Sequence, residues 1–405
     1  MAVEVAVVGA GPAGLAAAGE LGAAGFRVAL IDEYPIPGGR LLGQRYHWKN
    51  LVWDGKQQAE TLVDNVRQWH EVRWLLQRSV YDLERAPSGW ALSLNPGDPS
   101  VVYAQAVVVA TGATEVPIPL VNWTLPGVLA VGAAQVMTAV YGVAPGRRGV
   151  VVGANPLSFA IAEELLEAGV KLAGIVMAPG SENVDVVGSL DDQWQRIVGL
   201  RGGGAWPLRT LGRYMTHAWV RQFLMSHAPK SGVPIRGVRL RPNVVATAVE
   251  GTERVTGIRL ARIADHDESI REGWSEPVDF VCVSGGLRPV PDLFRIARVK
   301  TAWVPELSGE VPVISPWGET SQTGLFAVGN AIGVESALVA IAQGHLGAHG
   351  VTRYLRGQSL DYRLAEPDQH RIQLAREQSP IAFHPKIGQG VEHLRALFLE
   401  SLGAP

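Results

Sequence analysis

The chain has 405 residues, 47 of them glycine, with 18% charged residues and a formal net charge of −2. That length accommodates roughly two to three domains with full cores, and the near-neutral charge gives no basic field for nucleic acid or an anionic membrane. Cys282 is the only cysteine, which excludes an intrachain disulfide, a dithiol redox pair and a cysteine-ligated iron–sulfur cluster within this chain.

Val3 to Val8 predict a short buried strand, Gly9, Gly11 and Gly14 a tight turn, and Leu15 to Ala24 the helix that this turn opens. Gly9 permits the turn, Gly11 lets a pyrophosphate approach the backbone, and Gly14 lets helix and strand pack closely. Around Pro12 and Ala13 the helix start offers its unbonded N–H groups to phosphate. Phe26 to Ile31 predict the next strand. It ends in Asp32, 23 residues after Gly9, where a carboxylate can accept ribose hydroxyls, and Glu33 follows as a second acid. The chain opens almost directly on its first strand, which leads to the expectation of no cleavable leader and a cytoplasmic location.

The loop Pro35-Ile36-Pro37-Gly38-Gly39-Arg40 suits a backbone passing close to a phosphate or a ring. Arg40, Arg45 and Lys49 are the cations near it. Trp48 and Trp53 could wall a ring or pack into the core. Trp53 to Trp69 predict a helix, and Val72 to Val80 and Trp90 to Leu94 predict strands around the turn at Ala86-Pro87-Ser88-Gly89. Val101 to Ala110 predict a buried strand running into Ala110-Thr111-Gly112. Gly127 to Gly146 is a run of 20 uncharged residues, close to the length of a membrane span. Its Gly and Ala content, Gln135, Thr138 and the closing Ala144-Pro145-Gly146 favour a buried helix instead.

A second strand, turn and helix pattern begins at Gly149 and runs through Gly153-Ala154-Asn155-Pro156-Leu157-Ser158. Asn155 stands where the second glycine would be and Ser158 where the third would be. Val176, 23 residues after Gly153, offers neither an acid for a ribose 2′-hydroxyl nor a cation for a 2′-phosphate. Residues 181 to 230 read only as loop and helix. Asp279 to Pro289 mark the return to the first domain, Gly324 to Val328 a short strand, Gly329-Asn330 a turn, and Glu335 to Gly350 a helix. His345 and His349 share one helix face with no third ligand near them in sequence. They read as a structural pair, and no metal site is expected.

The glycine fingerprint, Asp32, the Gly38-Gly39 pair, Ala110-Thr111-Gly112 and Gly324 to Asn330 occur in the order found in the two-dinucleotide-binding-domain flavoproteins. The chain resembles this glutathione-reductase-like group over about residues 1–350. The resemblance implies an α/β fold of two Rossmann-like three-layer dinucleotide-binding domains, the second inserted in the first. Residues 1–116 would be the first FAD segment, 117–268 the inserted NAD(P)-type domain, 269–352 the second FAD segment, and 353–405 a C-terminal tail available as a docking arm. The implied FAD site comprises Gly9, Gly11, Pro12, Ala13, Gly14, Asp32, Glu33, Gly38, Gly39, Arg40, Val80, Ala110, Thr111, Gly112, Gly329, Asn330, Ser336 and Ala337. Gly153, Asn155, Pro156 and Leu157 would form a second site, for NAD(P) or another adenine nucleotide. The family usually carries Asp at the position of Asn330, so a negative charge near the flavin is lost here while an acceptor oxygen is kept.

A narrower resemblance rests on Gly333-Val334-Glu335-Ser336-Ala337, Ala342-Gln343-Gly344 and Trp317-Gly318-Glu319-Thr320-Ser321. These tracts resemble one subunit of heteromeric amine and imino-acid dehydrogenases: dye-linked L-proline dehydrogenase, opine oxidase, hydrogen cyanide synthase and sarcosine oxidase. The implied function is an FAD-dependent oxidoreductase subunit that relays electrons in an amino-acid dehydrogenase complex with a second flavin-containing subunit. Several relatives carry a cysteine-rich cluster domain. Residues 358–405 hold no cysteine, which adds a further candidate partner, a small ferredoxin-like subunit. Two alternatives stay open: a stand-alone NAD(P)H-dependent flavin reductase acting on ferredoxin, quinone or another acceptor, and a non-catalytic nucleotide-binding scaffold. No residue of the sequence identifies itself as catalytic.

Overall fold

The computed structural model describes residues 1–48, 51–179, 193, 229, 231–235, 237–263, 270–379 and 381–403. The first segment runs β1 (Ala2–Val8), α1 (Pro12–Ala23), β2 (Val28–Asp32), a 3₁₀ turn (Gly39–Gly43), β3 (Arg45–Trp48), β4 (Leu51–Asp54), α2 (Gly55–Arg67), β5 (Val72–Leu76), β6 (Ser79–Ala86), β7 (Gly89–Asn95), β8 (Val101–Val109) and β9 (Ala113–Glu115). The inserted segment follows with β10 (Val128–Ala130), α3 (Val131–Gln135), a π-helical turn (Val136–Val140), β11 (Arg148–Val152), α4 (Pro156–Glu167), β12 (Lys171–Met177), β13 (Val233–Ile235), β14 (Val238–Glu250), β15 (Gly257–Ile263), β16 (Ile270–Pro277) and β17 (Phe280–Val283). The chain then returns through β18 (Leu287–Pro289), α5 (Asp292–Ile296), β19 (Thr301–Val304), β20 (Gly309–Pro312) and β21 (Leu325–Ala327), and closes with α6 (Ala337–Leu355), α7 (Glu366–Gln378) and α8 (Ile387–Gly403).

The first sheet has strand order β5-β2-β1-β8-β7-β6, with β21 also on β8. Its centre is parallel: β1 pairs with β2 and β8, and β21 joins β8 at Val107–Val109. Val5, Ala6 and Val7 are fully buried, as both faces of a parallel sheet are covered and each position needs an apolar side chain. One cover is α1, an Ala- and Gly-rich helix wedged between the sheet and α6. A Cβ on Gly344 of α6 would come within 2.2 Å of the Ala13 carbonyl oxygen, so the glycine lets the two helix backbones meet.

The second sheet has order β10-β17-β11-β12-β14-β15-β16, with β13 on β14. It takes in residues 270–283, so the return to the first domain comes after β17 and not at 269. The crossing back is made by β18, which pairs antiparallel with β9. Three local expectations also change. The uncharged run 127–146 is not a buried helix. It breaks into β10, α3 and the π-helical turn, with Val136, Tyr141 and Val143 exposed. The helix expected from Trp53 begins at Gly55, because Asp54 caps it by accepting the Gln57 N–H at 3.1 Å. The strand expected over 72–80 is two strands, parted at Gln77, whose φ is +58°. No helix among the described residues is long and apolar enough to cross a membrane.

The tail packs onto the body. Ile387, Leu394 and Phe398 of α8 bury against Val304, Leu307, Val311 and Val313, while Ala365 and Ile372 bury against Trp317, Val339 and Leu346.

Candidate functional site

The N-terminus of α1 is bare. Its cap position is Gly11, no side chain bonds its first turn, and the first internal bond is Leu15 N–H to the Gly11 carbonyl at 2.9 Å. The three glycines of the turn have different duties. A Cβ on Gly9 (φ +106°) would lie 2.4 Å from the Ala110 oxygen, and one on Gly14 would lie 1.8 Å from the Gly9 oxygen. Both are therefore required by the fold itself. A Cβ on Gly11 would meet no protein atom within 4 Å. Open space beside an uncapped helix start is a cradle for a phosphate.

The other predicted residues converge on this turn. Asp32 at the end of β2 accepts from Ala10 N–H at 2.6 Å and from Tyr34 N–H at 2.8 Å. Its carboxylate is thereby fixed beside the turn, while Glu33 is exposed. The Gly38 N–H bonds the Ala10 carbonyl at 2.8 Å. A Cβ on Gly39 would sit 3.0 Å from the Gly11 Cα, so the loop presses on the turn. Arg40 donates to the Ala113 oxygen from Nε and Nη2 at 3.3 and 3.1 Å and lies 3.8 Å from Glu115. Thr111 carries a buried hydroxyl oxygen with no hydrogen-bond partner, an orphan that a ligand can satisfy. Gly112 follows with φ +73° and open space at its Cβ position. Val80 is half-buried near the start of β6. Gly329 (φ +68°) abuts Ala13, Asn330 accepts the Glu335 N–H at 3.1 Å, and Ser336 caps α6, followed by Ala337 as its first residue. Turn, acid and loop are thus bonded together, and Gly329 and Gly344 bring the last segment against Ala13 of the same turn, an arrangement whose open helix start and unpartnered Thr111 hydroxyl fit FAD.

The second turn is built differently. Its helix α4 is capped from within: Asn155 accepts the Ser158 N–H at 3.1 Å and donates to the Ser284 carbonyl at 2.8 Å and hydroxyl at 3.1 Å. Ser158, in the place of the third glycine, donates to the Gly153 oxygen at 2.5 Å, which turns what would be a clash into a bond. Asn155 and Ser158 are both buried, Pro156 opens α4, and Leu157 is half-buried. The position equivalent to Asp32 can be read from the backbone. Gly9 N–H bonds Ile31, and Gly153 N–H bonds Val176, so Met177 and not Val176 stands where the ribose acid would be. Met177 is fully buried. The next residue, Ala178, has both backbone groups bonded by the side chain of Gln193, at 3.1 and 3.3 Å. Asn155 thus occupies the helix start with its own side chain, and the strand end offers neither an acid nor a cation.

The seam between the two domains holds a residue that no sequence pattern marks. Glu164 of α4 accepts from the Arg45 N–H at 3.0 Å and from Gln135 at 2.6 Å. Burial pushes its pKa up to about 7. Cys282 in β17 is fully buried, and burial raises its thiol to about 12, which leaves it inert as a nucleophile. His345 and His349 do not share a ligand. His345 pairs with Glu20 of α1 at 2.9 Å and His349 with Asp368 of α7 at 2.8 Å. Among the described residues no cluster of three or more His, Cys, Asp or Glu is placed to hold a metal ion. The side chain of Trp48, Lys49, and residues 181–230 other than Gln193 and Pro229 lie outside the described residues.

Residues 3–195 match the family model of the pyridine nucleotide-disulphide oxidoreductases. An opine oxidase subunit of Agrobacterium tumefaciens (strain Ach5) is 29% identical over 364 residues, covering 85% of this chain and 64% of the relative. The alpha subunit of sarcosine oxidase from Rhizobium meliloti (strain 1021) is 32% identical over 218 residues, 50% of this chain and 22% of the relative. The chain thus spans less than two thirds of the length of either. Among solved structures, L-proline dehydrogenase from P. horikoshii superposes with a TM-score of 0.65 at 20% identity, covering 95% of this chain and 60% of that one. T. acidophilum thioredoxin reductase gives 0.60 at 16% identity, covering 88% and 99%. The fold likeness shows two Rossmann-like α/β dinucleotide-binding domains, the second inserted in the first, and residues 3–195 are similar to the pyridine nucleotide-disulphide oxidoreductases.

Proposed function

We propose that this chain is the FAD-holding, electron-relaying subunit of a heteromeric dehydrogenase that oxidises an amino or imino acid of the proline, opine or sarcosine kind. The supporting observation is the contrast between the two helix starts. The N-terminus of α1 is open to a pyrophosphate, whereas that of α4 is closed by its own Asn155. With one open dinucleotide turn and one capped turn among the described residues, the reading routes the flavin's electrons across a protein surface and not through a nicotinamide bound to this chain. The thiol route is also missing, since Cys282 is single and buried.

In this reading FAD is held by the turn Gly9, Gly11, Pro12, Ala13 and Gly14 with Asp32 at the ribose. Gly38, Gly39, Arg40, Ala110, Thr111, Gly112, Gly329, Asn330, Ser336 and Ala337 line the rest of the cleft, with Glu33 and Val80 at its rim. Bound there, the flavin supplies hydride and electron acceptance, and the protein supplies orientation and charge. Oxidation of an amino acid also needs a cation for the substrate carboxylate in a closed pocket over the flavin. Arg40 is engaged by Ala113 and Glu115, and the substrate is assigned to the partner flavin subunit. That the curated relatives are subunits of opine and sarcosine oxidases supports such a partner.

The test is an anaerobic titration followed at the flavin absorbance. The purified chain should keep its colour with NADH, NADPH or L-proline and lose it with the amino acid only when its partner subunit is present. Rapid bleaching of the chain alone by stoichiometric NADH would overturn the relay reading in favour of a stand-alone reductase.

A further inference from the structure

The C-terminal tail reaches the start of α6 through one buried ion pair. Arg376 of α7 donates from Nε to Glu335 Oε2 at 2.6 Å and from Nη2 to Glu335 Oε1 at 2.8 Å, a bidentate fork. Its third nitrogen, Nη1, is held by Gln373 at 2.9 Å. The Glu335 side chain is 5% exposed and that of Arg376 17%. Glu335 occupies the residue before the Ser336 cap of α6, and its N–H bonds Asn330. A carboxylate is therefore buried at the start of α6, the helix start assigned above to the FAD site, five residues after Asn330.

Such a carboxylate, left bare, would oppose the negative charge that reduction adds to a flavin. It would also offset the positive end of the α6 dipole. Paired bidentately it does neither. We infer that Arg376, acting through Glu335, is a positioning and charge-setting residue for the flavin: it fixes the Asn330–Ser336 turn and neutralises its carboxylate, so that the tail helix sets how readily the flavin is reduced. The inference rests on the FAD site described above, and goes beyond it in giving the tail a role in electron transfer.

The sign of the effect separates this role from simple support. The measurement is the midpoint potential of the bound flavin, by equilibration with redox dyes, in the full chain and in Glu335→Gln, Arg376→Gln, the double variant, and Arg376→Lys. Glu335→Gln leaves an unpaired cation and should raise the reduced-to-oxidised ratio at fixed poise about tenfold, ~30 mV for a two-electron couple. Arg376→Gln leaves an unpaired carboxylate and should lower the ratio by a similar factor. The double variant and Arg376→Lys should stay near the parent chain. Shifts of the same sign in both single variants, or no shift in Glu335→Gln, would overturn the inference. If Arg376→Gln fails to fold around its bare carboxylate, Glu335→Gln and the double variant still decide. A parent chain that holds no flavin would instead overturn the site reading on which the inference stands.

Discussion

Gly11→Val separates a glycine required by the cofactor from glycines required by the fold. Gly11 has φ −77° and ψ −174°, which valine adopts without strain, and its Cβ position is open for 4 Å. The cost to the cofactor-free fold is then confined to exchanging one weak cap for a poorer one, under about 1 kcal/mol. The cost to FAD is larger, because the new side chain fills the space in front of the α1 N–H groups. Losing one to two hydrogen bonds to a charged phosphate, each worth about 1.5–3 kcal/mol, amounts to roughly 3–4 kcal/mol, or about 10²–10³-fold in Kd. Flavin retention on purification and fluorescence titration of the stripped protein measure this loss. Thermal melting of the stripped protein measures the fold. Gly14→Val is the control: its Cβ would lie 1.8 Å from the Gly9 oxygen, so it should destabilise the chain with or without FAD. Full flavin content in Gly11→Val, or a stripped melting temperature as low as that of Gly14→Val, would refute the argument.

Cys282, fully buried and with its thiol raised to about 12, should resist aromatic disulfide reagents in the native chain and react stoichiometrically in denaturant; rapid native labelling would contradict its burial. The hydrogen bond from His349 to Asp368 raises the pKa of His349 against the opposing effect of burial. Its stabilisation of the α6–α7 seam should be fully present below about pH 6.5 and fade as pH rises through the higher folded value; a melting temperature whose pH slope is the same in His349→Gln would show otherwise. Leu394→Ala, at a position 5% exposed beneath α8, should cost about 2–3 kcal/mol in denaturant unfolding, and a loss under ~0.5 kcal/mol would mean that the tail is not part of the cooperative unit.

Much of the first domain was legible because two different constraints wrote it. Strands buried on both faces read as apolar runs, and close helix packing reads as glycine and alanine, so β1, the turn and α1 could be placed to within a few residues. The second turn was legible as an anomaly: Asn155 and Ser158 stand out where glycines belong. How they close the site was not, because the partner of Asn155 is Ser284, 129 residues away. The ribose position slipped by one residue, to Met177, since counting from Gly153 cannot see which carbonyl the glycine bonds. The run 127–146 misleads because its Gly and Ala content and lack of charge suit a buried helix, whereas Tyr141 and Val143 are exposed. Arg376 carried no local signal. An arginine in a polar helix reads as surface until the fold sets it against Glu335.

The fork in β8 has a consequence for how the chain is made. The first half of that strand pairs with β7 and the last three residues, Val107–Val109, with β21, which lies more than two hundred residues later. As the chain emerges from the ribosome, the first sheet must wait with that edge uncovered until Leu325–Ala327 has been synthesised. Contacts of such sequence separation are slow to form, and an uncovered apolar edge invites pairing with other chains. The inserted domain can complete its sheet at β17, before β21 exists. All the strands of its sheet have therefore been made before the first sheet can be closed by β21.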